Sequence, residues 1–246
     1  MNNSSIAFII LALIAGFAGG FMLANKLNGS EIASLRAQAG QQPSANSSQS
    51  QNTNDATISN DELKSKITEA DKNPGNFAYQ KNLGVSLYRY ASMKQDNDLL
   101  AESIRILSRA NGLDGKDFDV LVALGNAHFD VAFFKKDAAE FQIARDLYTK
   151  ALEQKPDDAD VRTDFGLTYF LQQPPEYDKA AAELQQVIAA NPKHDRAMQF
   201  LVQTYVKQGK ITEADKMLAK IIELNPTNPA ITDLRSQITA AKGGPQ

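Results

Sequence analysis

An all-helical solenoid of about four helix pairs is the fold class predicted for this chain, on three observations. The same residue types recur at long, regular intervals: Leu83/Gly84, Leu124/Gly125, Phe165/Gly166 and Leu201/Val202, the first three evenly spaced and the fourth slightly closer. Each recurrence brings the same followers: a larger side chain three residues on (Leu87, His128, Tyr169, Tyr205), then a small residue opening a second helix (Ser103, Ala144, Ala180, Ala214). Another small or medium apolar residue comes seven later (Ala110, Ala151, Val187, Ile221), and Gly115, Pro156, Pro192 or Pro226 closes the unit. Finally, no stretch alternates polar and apolar residues as a strand does. A small residue where two helices cross lets their backbones approach, bulky neighbours fill the flanking grooves, and proline stops the second helix. Self-similarity at this period is the signature of stacked helical hairpins.

From the amino end, the first element is Ile6 to Ala24, a continuous run without a polar or charged side chain. As a helix it measures about 28 Å at roughly 1.5 Å per residue, against a hydrocarbon core of ~30 Å. The expectation is a single transmembrane helix within residues 1–27. A cleaved signal peptide is the rival, but Met1 to Ser5 carries no Lys or Arg, the run is long for such a peptide, and no convincing Ala-x-Ala site follows. Ala12, Gly16, Gly20 and Ala24 share one face, a small-residue arrangement that permits weak self-association of membrane helices, although apolar runs are rich in Gly and Ala in any case. Lys26 and Arg36 follow the run and no cation precedes it, which favours a cytoplasmic position for the rest of the chain. Two charges leave an extracytoplasmic position open.

Residues 28–57 are expected to hold a short helix from Ser30 to Ala39 and then a tether. Gly40 to Thr57, rich in Ser, Asn and Gln, has nothing larger than alanine to bury and cannot offset its own ordering entropy. Ser59 then caps a lone helix to about Lys72, with Asp61 and Glu62 in its first turn and Leu63, Ile67 and Ala70 along one face. The repeats follow at about 76–116, 117–157, 158–193 and 194–227, and Pro229 opens a closing helix within 229–242. The stretch from the aligned residue to the closing one has the same length in the first two units, Gly84 to Gly115 and Gly125 to Pro156. It is shorter from Gly166 to Pro192 and shortest from Val202 to Pro226. Because the same excess over the fourth unit, about seven residues or two helical turns, occurs twice, it predicts longer helices rather than a disordered insertion.

Over roughly Ile58 to the C-terminus this pattern resembles the tetratricopeptide repeat (TPR) family, bacterial-type, whose standard repeat of about 34 residues has the fourth unit's spacing. The resemblance implies a right-handed α-solenoid, with capping helices at both ends. The family's tryptophan is missing, in a chain that has no Trp.

Several function classes fall away on composition. A net charge of -3 gives no footprint for nucleic acid. Zero cysteines exclude disulfides and thiolate catalysis. The two histidines stand far apart: His128 fills the slot of Leu87, Tyr169 and Tyr205 and is expected to be packed and hydrogen-bonded, and His194 to be a solvated turn residue. No Gly-rich phosphate loop is present. Pro174-Pro175-Glu176-Tyr177 looks like a short proline-rich ligand, but Tyr177 is better explained as the aromatic three before Ala180, matching Leu100 and Phe141. No catalytic residue, metal ligand or cofactor site is therefore expected.

What the resemblance implies is binding. In the family the first helix of each pair lines a concave groove, and helical geometry nominates the residues three before, one after and four after the aligned position. Here these are Lys81, Val85 and Tyr88; Val122, Asn126 and Phe129; Thr163, Leu167 and Phe170; and Gln199, Gln203 and Val206, with Arg89 on the groove's edge. The family's carboxylate clamp finds only Lys81, since Val85 and Ala123 break its pattern, so an extended or helical peptide with apolar anchors is the expected ligand. Phe129 and Phe170 could instead pack against the next unit. The expectation is a non-catalytic, membrane-tethered scaffold, bacterial and at the inner membrane, that holds a protein or peptide partner. An assembly factor for an envelope complex, resembling the apoprotein holders of cytochrome c maturation, and a secreted soluble adaptor are the alternatives.

Overall fold

The structure, a computed structural model, describes residues 59–243. The apolar run Ile6 to Ala24, the short helix from Ser30 and the tether all lie outside the described residues. No described helix is long and apolar enough to cross a membrane. Ten helices and no strand occur among the described residues: α1 (Asn60–Lys72), α2 (Phe77–Lys94), α3 (Asn97–Leu113), α4 (Phe118–Lys135), α5 (Ala138–Gln154), α6 (Ala159–Leu171), α7 (Tyr177–Ala190), α8 (Asp195–Lys207), α9 (Ile211–Leu224) and α10 (Ile231–Gly243).

Local chemistry sets these boundaries. Ser59 caps α1 by accepting from the Glu62 amide at 3.2 Å. The first helix of every pair begins the same way, with Asn76, Asp117, Asp158 or His194 accepting from the amide three residues on, at 3.0 to 3.2 Å. Asp96 and Asp137 cap α3 and α5. The closing helix starts two residues later than Pro229, because Asn228 is buried and its side chain holds a turn: Oδ1 accepts from the Ala230 amide at 2.8 Å while Nδ2 donates to Asp195.

Helices pair antiparallel (α2 with α3, α4 with α5, α6 with α7, α8 with α9), and each pair packs its first helix on the previous pair's second. Small residues are where the crossings are tightest. A β-carbon on Gly84 would stand 2.8 Å from Leu107, and one on Gly125 2.8 Å from the Tyr148 ring. The core runs the length of the array. Leu63 and Ala70 of α1 join Leu87 and Ile106 at one end; Leu218 and Ile221 of α9 with Leu234 and Ile238 of α10 close the other. Burying a side chain of this size is favourable by roughly 1.5 to 3 kcal/mol each, and the terminal helices exist to cover faces that would otherwise meet water.

The two longer hairpins differ from the others in one place. In every pair seven residues precede the aligned position in the first helix, but ten follow it in α2 and α4 against five in α6 and α8. The second helices gain at their starts: six residues precede Ser103 and Ala144 in α3 and α5, three precede Ala180 and Ala214 in α7 and α9. The excess read from the sequence is therefore helical and confined to the hairpin tips, at one edge of the array.

Candidate partner-binding groove

The first helices α2, α4, α6 and α8 lie side by side. Two cross-links show that α2 and α4 run parallel: Lys81 near the start of α2 reaches Asp117 and Asp119 at the start of α4, and Ser92 near the end of α2 donates to Asp130 in the second half of α4 at 3.1 Å. This shared face carries the residues nominated from the sequence.

Lys81 is committed within the fold. Its ammonium donates to Asp117 at 2.8 Å and to Asp119 at 2.7 Å. Burial works to lower the Lys81 pKa, but the two carboxylates outweigh it and the net direction is upward. Burial likewise raises Asp117, yet Lys81 and the Val120 amide bring it below the ordinary carboxylate range. A lysine neutralised this way tacks one repeat to the next and has little charge left for a ligand's carboxylate.

Five nominated residues, Tyr88, Phe129, Thr163, Leu167 and Phe170, are buried. Phe129 is 3 % exposed and meets Phe141 of α5 edge-on at 5.6 Å between centroids. Phe170 packs on Tyr177 at 5.5 Å and Phe200 at 6.2 Å. Thr163 turns its hydroxyl onto the Ala159 carbonyl at 2.7 Å. Phe170 thus packs on the next unit through Phe200, whereas Phe129 is covered by the second helix of its own unit. Val85, Val122, Asn126, Gln199, Gln203 and Val206 remain half-buried on the face, with Arg89 exposed beside them. Asn126 accepts from the Tyr148 hydroxyl at 2.7 Å, a bond that leaves its amide nitrogen to donate outward.

The structure adds a polar run that the sequence reading missed. Asp130, only 6 % exposed, carries a carboxyl whose pKa burial pushes up to about 7; hydrogen bonds from Ser92 and Tyr88 oppose that rise and Asp164 adds to it. Asp164 forms a close ion pair with Arg196, joining α6 to α8. The available signal was Asp130 itself, a carboxylate between Phe129 and Val131 in a run that is otherwise apolar, where an unassisted charge is costly. His194 corrects a second expectation. It is no solvated turn residue: Nδ1 accepts the Ala197 amide at 3.2 Å as the cap of α8, and Nε2 lies 3.1 Å from Asp160. His128 is packed, with Nδ1 2.5 Å from Glu140. Among the described residues no three His, Asp or Glu side chains gather as a metal site.

The tetratricopeptide repeat family model matches residues 176–238. Solved structures extend the likeness to most of the described chain. A crystal structure of MamA protein is 24 % identical with a TM-score of 0.55, over 67 % of this chain and 81 % of that one. A tetratricopeptide repeat protein from Parabacteroides merdae is 19 % identical with a TM-score of 0.58, over 74 % and 65 %. A thermophilic TPR protein in Thermus thermophilus is 20 % identical with a TM-score of 0.52, over 74 % and 89 %. Identities this low speak for the fold alone, and no curated protein matches the chain. The pairs that the family model leaves out include both lengthened ones, in which Ser103 follows Gly84 and Ala144 follows Gly125 about two helical turns later than Ala214 follows Val202.

Proposed function

We propose that this chain is a non-catalytic scaffold, tethered to a membrane through Ile6 to Ala24, that holds a protein or peptide partner along the face of its first helices. The observation that carries the binding role is the continuity of that face: four parallel helices, cross-linked by Lys81, Asp130 and Arg196, present a strip on which small apolar groups (Val85, Val122, Val206) alternate with amides (Asn126, Gln199, Gln203). With Lys81 neutralised and Asp164 paired, such a strip suits an extended or helical segment that anchors by apolar side chains and backbone hydrogen bonds, not one recognised by a terminal carboxylate. The similar solved proteins share the fold, and TPR folds are scaffolds for protein contacts.

A photo-crosslinking amino acid at Gln203, in full-length protein expressed in its membrane, tests both halves. The expected result is one dominant crosslinked partner, found in the carbonate-resistant membrane fraction. Crosslinks no more abundant than those from an amber site at Leu224, on α9, would remove the groove from consideration. Recovery of the chain in the wash would remove the tether, leaving a soluble adaptor.

A further inference from the structure

We infer that the face of the first helices closes by a proton-operated clasp: Lys81 pins the starts of α2 and α4 together, while Asp130 grips the far end of α2 only when its carboxyl carries a proton. The clasp is independent of what the face binds. Its consequence, that acidification strengthens capture of the partner, rests on the groove reading proposed above.

The contact between α2 and α4 has different chemistry at its two ends. At the start, the Lys81 ammonium donates to Asp117 at 2.8 Å and to Asp119 at 2.7 Å. Burial opposes charge on both Lys81 and Asp117, yet their bonds carry the lysine up and the aspartate down, so this end stays charged across the neutral range. Ser92 lies about 16 Å farther along α2, at roughly 1.5 Å per residue. Its hydroxyl donates at 3.1 Å to Asp130, which is only 6 % exposed.

Every element around Asp130 withholds a counter-charge. From α2 come Tyr88 and Ser92, hydroxyls that can serve either protonation state but bring no charge. From α5 comes Tyr148, whose own hydroxyl is given to Asn126. From α6 comes Asp164, a like charge, and the cation that answers it, Arg196 of α8, forms its ion pair with Asp164. The two histidines are bonded elsewhere, His128 to Glu140 and His194 to Asp160. Burial is the largest influence on the Asp130 carboxyl and pushes it up to about 7; the bonds from Ser92 and Tyr88 oppose that rise and Asp164 adds to it.

Once ionised, the closed arrangement holds a carboxylate with neither water nor a cation, and parting the far ends of α2 and α4 lets water in. The packing of α4 on α3 behind them serves as the pivot. Opening returns Asp130 toward the ordinary 3.8, so the ratio of open to closed rises by up to about tenfold per pH unit from about 4 to about 7 and then levels off. Over that window the change is on the order of a thousandfold at most. Val85 on α2, and Val122 and Asn126 on α4, lie along their helices between the pin and the clasp, so the clasp sets their spacing. A segment laid across both helices needs that spacing, and by covering Asp130 further it favours the proton still more. Capture therefore takes up a proton.

The natural chain has no cysteine, which permits paired labels. Full-length protein in detergent carries spin labels at Met93→Cys and Lys207→Cys, exposed positions at the ends of α2 and α8, or at Ala78→Cys and Lys193→Cys, exposed positions at the opposite edge. Pulsed dipolar spectroscopy from about pH 4 to about pH 8 should show the 93/207 distance lengthening as pH rises and the 78/193 distance constant. In Asp130→Asn, which is neutral throughout, the 93/207 distance should stay short. In membranes, crosslinking from Gln203 should weaken by up to about tenfold per pH unit over the same window and stay level in Asp130→Asn.

A 93/207 distance that ignores pH, or one that lengthens equally in Asp130→Asn, overturns the clasp and leaves the groove reading standing. Crosslinking that holds steady while the labels part, or that falls equally in Asp130→Asn, overturns the coupling of the clasp to capture. Gln203 crosslinks no better than those from Leu224 at every pH, with the labels parting as expected, remove the groove reading and keep the clasp.

Discussion

Gly125 and Tyr148 meet where α4 crosses α5, so closely that a β-carbon on the glycine would lie 2.8 Å from the ring. The ring has nowhere to withdraw, since Tyr148 is fully buried and its hydroxyl is held by Asn126. Replacing Gly125 by Ala adds about 1 kcal/mol of helix propensity. The overlap opposes that gain and is expected to cost about 1 to 3 kcal/mol. The prediction is a net loss for Gly125→Ala and a much larger one for Gly125→Leu. Gly166→Ala should be milder, because its β-carbon would meet the Glu183 β-carbon at 3.2 Å and nothing else closer than 3.5 Å. Urea midpoints of the three variants decide it; an order in which Gly166→Ala is the most damaging sinks the crossing argument.

Asp130 gives the fold a specific pH dependence. Facing it are Ser92 and Tyr88 from α2 and Asp164 from α6, with no cation in direct contact among the described residues, and burial holds its carboxyl at about 7 against an ordinary 3.8. Between those values the native state binds one proton more than the unfolded chain, so stability falls as pH rises. The contribution is whole below about pH 4 and gone above about pH 7. At about 1.4 kcal/mol per unit the span is on the order of 4 kcal/mol. Asp130→Asn, which stays neutral and keeps partners for its amide, should match the natural protein in acid and exceed it above neutrality. Denaturation midpoints of both proteins across this range give the answer, and a difference that does not grow with pH would falsify the assignment.

The tips hold a smaller reserve of stability. Gln95 ends α2 with a φ of 55°, in the left-handed region that favours glycine, and its counterpart Lys136 ends α4 at the same angle. A residue with a β-carbon is strained there by about 1 to 2 kcal/mol, part of which glycine returns through the greater freedom of its unfolded state. Gln95→Gly is expected to gain up to about 1 kcal/mol, read as a raised melting temperature. The corresponding turn after α8 already uses Gly209, at φ 72°. A lower melting temperature for Gln95→Gly would mean that the Gln95 side chain makes contacts outweighing the strain.

The array was legible in the sequence because its signals are periodic and local. Gly84, Gly125 and Gly166 mark crossings, Ser59 and the Asn, Asp and His caps mark starts, and an excess of the same length repeated in two units points to helix. The face was legible in position but not in exposure. Helical geometry puts Tyr88, Phe129 and Phe170 on the right side of their helices, yet whether a neighbouring helix covers that side depends on how closely the helices approach, which no single helix encodes. Ion pairs are less legible still. Lys81 finds Asp117 and Asp119 in the next repeat, and Asp164 finds Arg196 likewise, so neither partnership follows from local spacing. His194 was misjudged for a simpler reason: the first helices of the other units are capped by Asn76, Asp117 and Asp158, and an imidazole nitrogen does the same work.

The burial of Phe129 separates two roles that the face could assign to it. As a contact within its own helix pair, its truncation to alanine removes the ring packed on Phe141 and should cost about 3 to 5 kcal/mol, as large aromatic deletions in cores do. Residues that meet only the partner behave otherwise: Arg89→Ala and Gln203→Ala should change stability by no more than about 0.5 kcal/mol while weakening capture of the crosslinked partner. Measured together at a temperature where every variant is folded, the expected pattern is loss of binding without loss of stability for the pair Arg89→Ala/Gln203→Ala, and loss of stability without proportionate loss of binding for Phe129→Ala. The reverse pattern would mean that the partner reaches beneath the surface, prising α4 from α5 to take Phe129 as an anchor, and the half-buried strip of valines and amides would lose its claim as the binding surface.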